Sequence, residues 1–232
     1  MSTPSFHVVI PCAGSGSRSG SSDVPKQYRP VLGRPMVLHT LDAFVSVDHI
    51  ERIVLVVSPE DTFDLDLPAQ VERLASGGAT RAQSVLAGLF HLRETGADLN
   101  DWVLVHDAAR CLISPELIVR LINECCDDDV GGLLAIPLAD TLKEGFTNHR
   151  VRSTLSREAK WLAQTPQMFR LQTLIQALEQ TGSAVTDESS AMEALGHAPK
   201  LVLGSAENLK VTYPSDWTVA EALLSVRVGN SN

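Results

Sequence analysis

The sequence has few basic residues, and this shortage argues against some classes of partner. Its 232 residues include 19 Lys and Arg against 28 Asp and Glu, giving a formal net charge of −9 at pH 7. Nucleic acids and anionic membrane surfaces attract proteins through basic surfaces, so neither is expected as a partner. The sequence also lacks an apolar run of roughly 18 residues and the basic, then apolar, start of a signal peptide. A cytoplasmic protein is therefore expected.

Cysteines are also scarce, and their spacing favours neither disulfides nor a structural metal site. The four cysteines are Cys12, Cys111, Cys125 and Cys126, and no two of them form a Cys-x-x-Cys pattern. The adjacent pair at 125 and 126 has poor geometry for an ordinary disulfide. The seven histidines are scattered rather than spaced with the cysteines, which argues against structural zinc. Free thiols in packing roles are expected.

Four short apolar runs predict buried parallel strands, because they do not alternate polar with apolar residues. They are Phe6–Cys12, Ile53–Val57, Trp102–His106 and Leu133–Pro137. Helical patterns lie between them at Pro35–Val45 and at Thr80–Glu94, where Thr80 is a candidate N-cap, and Ser114 is a candidate cap of a third helix. Strands that alternate with helices predict an α/β fold with a mostly parallel sheet covered on both faces.

The second half of the chain interrupts this pattern once and then resumes it. The polar segment within residues 138–160 lacks apolar periodicity and carries several basic side chains, so we expect an arm that leaves the core. The following elements are a strand at Trp161–Phe169, helices near Leu171–Gln180 and Thr186–Leu195, a strand around Asn208–Thr212 and a helix from about Pro214. One domain over residues 1–232 is expected.

A glycine-rich loop follows the first predicted strand. The loop runs from Ala13 through Gly14, Gly16 and Arg18 to Gly20, and Lys26 follows within Pro25-Lys26-Gln27. Glycines let backbone N–H groups approach phosphate oxygens, and the two cations would add charge. The spacing fits neither a P-loop nor the dinucleotide fingerprint. A nucleoside triphosphate site is the favoured interpretation, and a flexible surface turn is the alternative.

Asp107 and Arg110 lie just past the third predicted strand, at the edge where open α/β sheets bind ligands. An acid there orients a ribose or holds Mg²⁺, and an arginine binds phosphate; the alternative is an ion pair that closes the strand. His106 is interpreted as a core or hydrogen-bonding residue. Lys210 is unusual within a predicted strand, and helix capping explains much of Thr186-Asp187-Glu188.

With these elements in order, the chain resembles the 2-C-methyl-D-erythritol 4-phosphate cytidylyltransferases of the non-mevalonate isoprenoid pathway over nearly its whole length. Nine segments carry the resemblance: Ala13–Arg18, Pro25–Tyr28, Gly77-Gly78 with Arg81, Ser84–Leu89, His106–Arg110, Asp140-Thr141, Thr165–Gln167, Thr186–Glu188 and Asn208–Thr212. Cys12 stands where the family usually has alanine.

The resemblance implies a Rossmann-like α/β sheet with an extended arm, and a homodimer whose arms reach toward the partner's site. It implies transfer of the cytidylyl group of CTP to a polyol phosphate, with Mg²⁺ or another divalent cation. The catalytic cations would be Arg18 and Lys26. The nucleotide contacts would be Ala13, Gly14, Gly16, Gly78, Ser84, Asp107 and Ala108, with Asp107 as a possible metal ligand. The acceptor would be positioned by Arg110, Thr141, Arg157, Thr186 and Lys210, with Arg157 acting from the second subunit.

Other functions remain open from the sequence. A cytidylyltransferase for another polyol phosphate, such as ribitol 5-phosphate, would present a phosphate to the same cations. A non-catalytic nucleotide-binding regulator would be expected to lack Arg18 or Lys26, and both are present. An NAD-dependent reductase is a weaker alternative, because the dinucleotide spacing fails.

Overall fold

The computed structural model describes residues 4–14 and 24–229. Strands and helices are numbered in chain order. The strands are β1 Phe6–Pro11, β2 Pro30–Val31, β3 Arg34–Pro35, β4 Ile50–Val56, β5 Val71–Leu74, β6 Trp102–Val105, β7 Gly131–Pro137, β8 Leu142–Gly145, β9 Val151–Leu155, β10 Trp161–Arg170 and β11 Lys200–Leu203. The α-helices are α1 Met36–Val45, α2 Arg81–Glu94, α3 Pro115–Cys125, α4 Leu171–Thr181, α5 Glu188–Ala194 and α6 Pro214–Gly229.

Seven strands form one sheet in the order β11-β7-β10-β6-β1-β4-β5. Neighbouring strands are parallel except at β10, which runs antiparallel to both β6 and β7. The prediction of an α/β fold with a mostly parallel sheet is confirmed. The carboxyl ends of β1, β4 and β6 therefore meet at one edge of the sheet.

The sheet is covered on both faces, which explains the continuous apolar runs in its central strands, such as Val8–Ile10 in β1 and Trp102–Val105 in β6. In β1, Val8 and Ile10 belong to a core cluster packed with side chains of α1 and α3. Val9 points to the opposite face and packs with side chains of α2 and α4. Because successive side chains of a strand alternate between faces, consecutive positions are apolar where both faces of the strand are covered.

The observed starts of the helices agree with the predicted ones where a capping residue can be recognised in the sequence. Thr80 is the N-cap of α2: its side chain accepts a hydrogen bond from the Gln83 N–H, and the Gln83 side-chain oxygen accepts one from the Thr80 N–H. Ser114 occupies the N-cap position of α3, although its side chain makes no capping hydrogen bond. Asp187 caps α5 through the backbone N–H of Ser190. Capping thus accounts for Asp187, as the sequence indicated.

The predicted strand at Asn208–Thr212 is wrong. The segment is irregular, and its hydrogen bonds go to separate partners rather than to a neighbouring strand. The Val211 N–H donates to the Ala109 carbonyl oxygen at 2.9 Å, and the Thr212 N–H donates to an Asp216 carboxylate oxygen at 2.7 Å. Two further strands of this sheet, β5 and β11, were not predicted; both are short and lie at its two edges.

Residues 138–160 contain the antiparallel pair β8 and β9, which form a small sheet of their own. Several large apolar side chains of this hairpin are exposed: Phe146, Val151 and Leu155. All four cysteines are free, as predicted. In the part of the chain that the structure describes, no helix is long and apolar enough to cross a membrane.

Candidate active site

A cavity of about 780 Å³ lies at the carboxyl ends of β1, β4 and β6. Such a volume is typical of small-molecule sites, and ligands bind at this edge in open α/β sheets. Eight of the residues predicted for the site line the cavity together: Ala13, Gly14, Lys26, Gly78, Ser84, Asp107, Ala108 and Lys210. Gly16 and Arg18 lie outside the described residues. The structure therefore brings these separate parts of the chain together at one edge of the sheet.

Lys26 is placed in the cavity wall by its two buried neighbours. It begins a short 3-10 turn in which Gln27 and Tyr28 are buried. The Gln27 side-chain amide donates to the Cys12 carbonyl oxygen at 2.8 Å, which ties the turn to the end of β1. The Tyr28 hydroxyl donates to an Asp61 carboxylate oxygen at 2.6 Å, and its ring stacks on Phe63. The turn therefore holds Lys26 beside the start of the glycine-rich loop.

Ser84 organises the loop that precedes α2. Its hydroxyl oxygen accepts a hydrogen bond from the Gly78 N–H and donates to the Thr80 carbonyl oxygen, both at 3.1 Å. The hydroxyl is thus shared between two backbone groups of the same loop. Together with the Thr80 cap, it gives the cavity a backbone-lined wall at the start of a helix, where the helix dipole favours anions.

Asp107 is the most densely paired acid in the cavity. Its Oδ1 lies 2.9 Å from Arg81 Nε, and its Oδ2 lies 2.7 Å from Lys210 Nζ. Burial alone would raise the pKa of this carboxyl, but Arg81, Lys210 and Arg110 outweigh that effect and hold its pKa well below the usual range. Asp107 is therefore a carboxylate at neutral pH.

Arg81 and Glu188 are site residues whose roles the sequence did not reveal. The Arg81 guanidinium donates from Nη1 and Nη2 to the two oxygens of Glu188, at 2.6 and 2.9 Å. Glu188 is fully buried. Both residues lie within segments that carry the family resemblance, but 107 positions separate them, so no local pattern could pair them.

Arg110 lies behind Asp107 rather than in the cavity wall. Its Nη1 donates to the Asn208 carbonyl oxygen at 2.7 Å, and its Nη2 donates to the Ala163 carbonyl oxygen at 3.3 Å. Its Nε lies 3.9 Å from Asp107 Oδ2. In this structure the Arg110 side chain binds backbone carbonyl oxygens of two neighbouring segments. Its contact with the acceptor phosphate stays a prediction.

His106 is a buried structural residue, as the sequence indicated. Its Nε2 lies 3.3 Å from the Arg110 carbonyl oxygen, which can only accept, so the proton is assigned to Nε2. Nδ1 then accepts from the Thr165 hydroxyl at 3.1 Å. Burial lowers the pKa of His106 to about 3, so the ring is neutral at physiological pH.

Three residues predicted to position the acceptor do not reach the cavity of their own chain. They are exposed: Thr141, Arg157 and Thr186. The guanidinium of Arg157 contacts the Ala139 carbonyl oxygen within the same hairpin region. Their assignment to the acceptor depends on the family resemblance and stays a prediction.

The described residues contain no group of three or more His, Cys, Asp or Glu side chains that could hold a metal ion. Asp107 and Glu60 are the two carboxylates among the residues that line the cavity, and neither is part of such a group. A site of this kind suits a ligand that brings its own phosphate oxygens to the ion, because Mg²⁺ is commonly bound by one or two carboxylates and substrate phosphates.

This fold, with a cavity lined by Lys26, Arg81 and Lys210 at the carboxyl edge of an α/β sheet, defines a nucleotidyltransferase. The sequence profile of the 2-C-methyl-D-erythritol 4-phosphate cytidylyltransferases matches residues 6–226. The chain belongs to this family.

Individual relatives agree with this assignment. A 2-C-methyl-D-erythritol 4-phosphate cytidylyltransferase of Nitrosomonas eutropha is 48% identical over 96% of this chain and 97% of its own length. A bifunctional enzyme IspD/IspF of Albidiferax ferrireducens is 58% identical over 97% of this chain, which spans only 54% of that relative. A crystal structure of 4-diphosphocytidyl-2C-methyl-D-erythritol synthase, 39% identical, has a TM-score of 0.86 and covers 95% of this chain and 99% of its own.

Proposed function

We propose that this chain joins CTP and 2-C-methyl-D-erythritol 4-phosphate to give 4-diphosphocytidyl-2-C-methyl-D-erythritol and pyrophosphate, in the cavity described above. The observation that carries the proposal is the convergence of eight predicted site residues on that one cavity. The names of the relatives favour this acceptor over ribitol 5-phosphate. CTP would lie along the loop at Ala13 and Gly14, the Gly78–Ser84 loop and Asp107–Ala108.

The reaction is an in-line displacement at phosphorus. A phosphate oxygen of the acceptor forms a bond to the α-phosphorus of CTP, and the bond from that phosphorus to the oxygen bridging the β-phosphorus breaks, releasing pyrophosphate. A phosphate monoester has a second pKa of about 6, so the nucleophile is already anionic at neutral pH. No general base is required, and the buried neutral His106 is already engaged with Thr165 and the Arg110 backbone.

Catalysis in this proposal is positioning and charge neutralisation. Lys26, held by its buried neighbours, would face the triphosphate, and Arg18 would add the second cation from the glycine-rich loop. Preorganised cations are effective because they need not reorient as charge develops in the transition state.

A divalent cation completes the charge balance. Asp107 is the carboxylate that the family resemblance points to, but its two oxygens already bind Arg81 and Lys210. The site therefore fits an ion held mainly by the phosphates of CTP, with Asp107 as an additional ligand at most. When bound, Mg²⁺ would neutralise charge on the triphosphate.

Lys210 would bind the phosphate of the acceptor. Its ammonium lines the cavity and its side chain is 43% exposed, so it can meet a ligand while it remains paired with Asp107. Thr186, Arg110 and Thr141 would contribute further polar contacts, as the family resemblance implies. Arg157 would act from the second subunit.

A homodimer with shared sites is part of the proposal. The β8–β9 hairpin exposes apolar side chains such as Phe146 and Val151, at 53% and 63%, and exposed apolar groups of this size often mark an interface. Arg157 lies in the same arm and does not line the cavity of its own chain. A cytoplasmic location is also proposed, since four free thiols suit a reducing compartment.

The experiment is a comparison of substrates. The protein is incubated with Mg²⁺, one nucleoside triphosphate and one acceptor, and pyrophosphate release is measured. CTP with 2-C-methyl-D-erythritol 4-phosphate should give the fastest release, with ribitol 5-phosphate and other triphosphates as controls. Faster release with ribitol 5-phosphate would reject the proposed acceptor, and no release with any acceptor would reject nucleotidyl transfer.

A further inference from the structure

Glu188 is a buried acid that the proposed reaction does not use. It is the first residue of α5, yet the capping of that helix is performed by Asp187. Its side chain is 1% exposed, and both of its oxygens accept hydrogen bonds from Arg81. A buried carboxylate is costly unless a cation compensates it, so its position depends on Arg81. Helix formation alone does not explain an acid here.

Glu188 begins a series of alternating charges that ends in the cavity. Arg81 uses Nη1 and Nη2 for Glu188, and it uses Nε for Asp107 Oδ1 at 2.9 Å. The other oxygen of Asp107 lies 2.7 Å from Lys210 Nζ. Because the guanidinium is a rigid plane, fixing two of its nitrogens fixes the direction of the third. Glu188 therefore sets the direction from which Arg81 meets Asp107.

Lys210 depends on a neighbouring carboxylate to fix its position more than Arg81 does, the other cation of this series. It lies in the irregular segment after β11, and its ammonium stands at the end of a flexible four-carbon stem. The backbone of the segment is fixed nearby by the hydrogen bond from the Val211 N–H to the Ala109 carbonyl oxygen. The position of the ammonium itself is set by Asp107.

We propose that Glu188 is a positioning residue for the phosphorylated acceptor. It orients Arg81, Arg81 holds Asp107, and Asp107 places the ammonium of Lys210 where it meets the acceptor's phosphate. This inference rests on the proposed contact between Lys210 and that phosphate. It gives the first turn of α5 a role in acceptor binding through the charge series rather than through direct contact.

The first experiment substitutes Glu188→Gln, which keeps the shape of the side chain and removes its charge. The kcat/KM for the acceptor should fall about tenfold or more, as expected when charge-assisted hydrogen bonds are lost. The KM for CTP should change less, because Asp107 is the one proposed nucleotide contact in the charge series and the Gly78–Ser84 wall is held by its own hydrogen bonds. Ser190→Ala is the matched control, since it removes half of the α5 capping box without touching Arg81.

The second experiment combines Glu188→Gln with Lys210→Gln. Lys210→Gln alone tests the proposed function: wild-type acceptor kinetics in that variant would reject the role of Lys210, whatever Glu188 does. If Lys210→Gln impairs acceptor use and Glu188→Gln adds little to it, Glu188 acts through Lys210. Two effects that multiply in the double variant would overturn the inference.

A third measurement does not depend on activity. Lys210 is labelled with an amine-reactive acetylating reagent, and its rate is compared with that of exposed Lys143 by peptide mass spectrometry. Glu188→Gln should accelerate labelling of Lys210 severalfold relative to Lys143, because the ammonium is released from Asp107. An unchanged ratio would overturn the inference. Should Glu188→Gln fail to fold, Arg81→Lys removes the guanidinium fork and carries the same expectation.

Discussion

Gly77 packs against Ala13 so closely that any side chain at position 77 would force a neighbouring group to move. A Cβ on Gly77 would collide with the Cβ of Ala13 and would come within 2.8 Å of the Val57 carbonyl oxygen. The Gly77 N–H donates to that same carbonyl oxygen at 2.8 Å. The contact joins the loop before α2 to the ends of β1 and β4, and it closes one wall of the cavity.

Gly77→Ala should therefore destabilise the fold and distort the nucleotide wall together. Forcing a methyl group into a tightly packed position costs about 1–3 kcal/mol. Urea denaturation should show a lower midpoint, and CTP should bind more weakly in a direct titration. Wild-type stability and CTP affinity in this variant would contradict the close packing.

Gly14→Ala should have the opposite profile and serves as the control for Gly77. Among the described residues, no atom lies within 4 Å of a Cβ built on Gly14, and the backbone φ of Gly14 is not in the left-handed region, so the fold should tolerate alanine. If the Gly14 N–H approaches a phosphate of CTP, the methyl group should weaken CTP binding about tenfold or more, since a hydrogen bond to a charged group contributes about 1.5–3 kcal/mol. Unchanged CTP affinity would remove Gly14 from the nucleotide site.

Lys26→Met should lower turnover much more than it weakens CTP binding. A cation that acts on charge developing in the transition state contributes chiefly to kcat, and loss of one comparable donor costs about 100- to 1000-fold. Steady-state kinetics with CTP and Mg²⁺ measure both constants, and Lys200→Met, which removes a surface ion pair with Glu124, is the control. Arg18→Ala should behave like Lys26→Met. Turnover within a few-fold of wild type would exclude a catalytic role for Lys26.

The sequence predicted those parts of the fold that depend on neighbouring residues. Continuous apolar runs such as Val8–Ile10 indicate a strand buried on both faces, because no position of it meets water. Thr80 and Gln83 form a capping box that is visible in the sequence, so the start of α2 was predicted correctly. The glycine-rich loop and the strand-end acid followed from the same kind of local pattern.

The remaining features depend on contacts between distant segments. The antiparallel direction of β10 is decided by its pairing with β6 and β7, and its own residues do not encode a direction. The irregular course of Asn208–Thr212 follows from hydrogen bonds to Ala109 and Asp216. Glu188 is indistinguishable from an ordinary first-turn acid until Arg81 is seen beside it.

Cys12 should make stability depend on pH in the alkaline range. Burial raises the pKa of its thiol from 9.0 to about 12. The unfolded chain loses this proton above pH 9 while the folded chain keeps it, so stability that is complete below pH 9 is lost as the pH rises toward 12. Cys12→Ala should lessen the decline by about 1.4 kcal/mol per pH unit within that range. Urea denaturation under reducing conditions at pH 8, 9, 10 and 11 measures the slopes, and identical slopes would show that the thiol of Cys12 ionises in the folded protein.

Arg157 leads to the prediction that most directly tests shared sites. In a two-fold dimer, a subunit carrying Arg157→Ala and a subunit carrying Lys26→Met would together form one site with both residues intact and one site with neither. If Arg157 acts across the interface, random mixing of two nearly inactive variants should restore about a quarter of wild-type activity, since half of the dimers are hybrids and each has one working site. Differently tagged subunits and native mass spectrometry confirm that hybrids form. If hybrids form and activity does not return, Arg157 serves the cavity of its own chain or none, and the shared site is wrong.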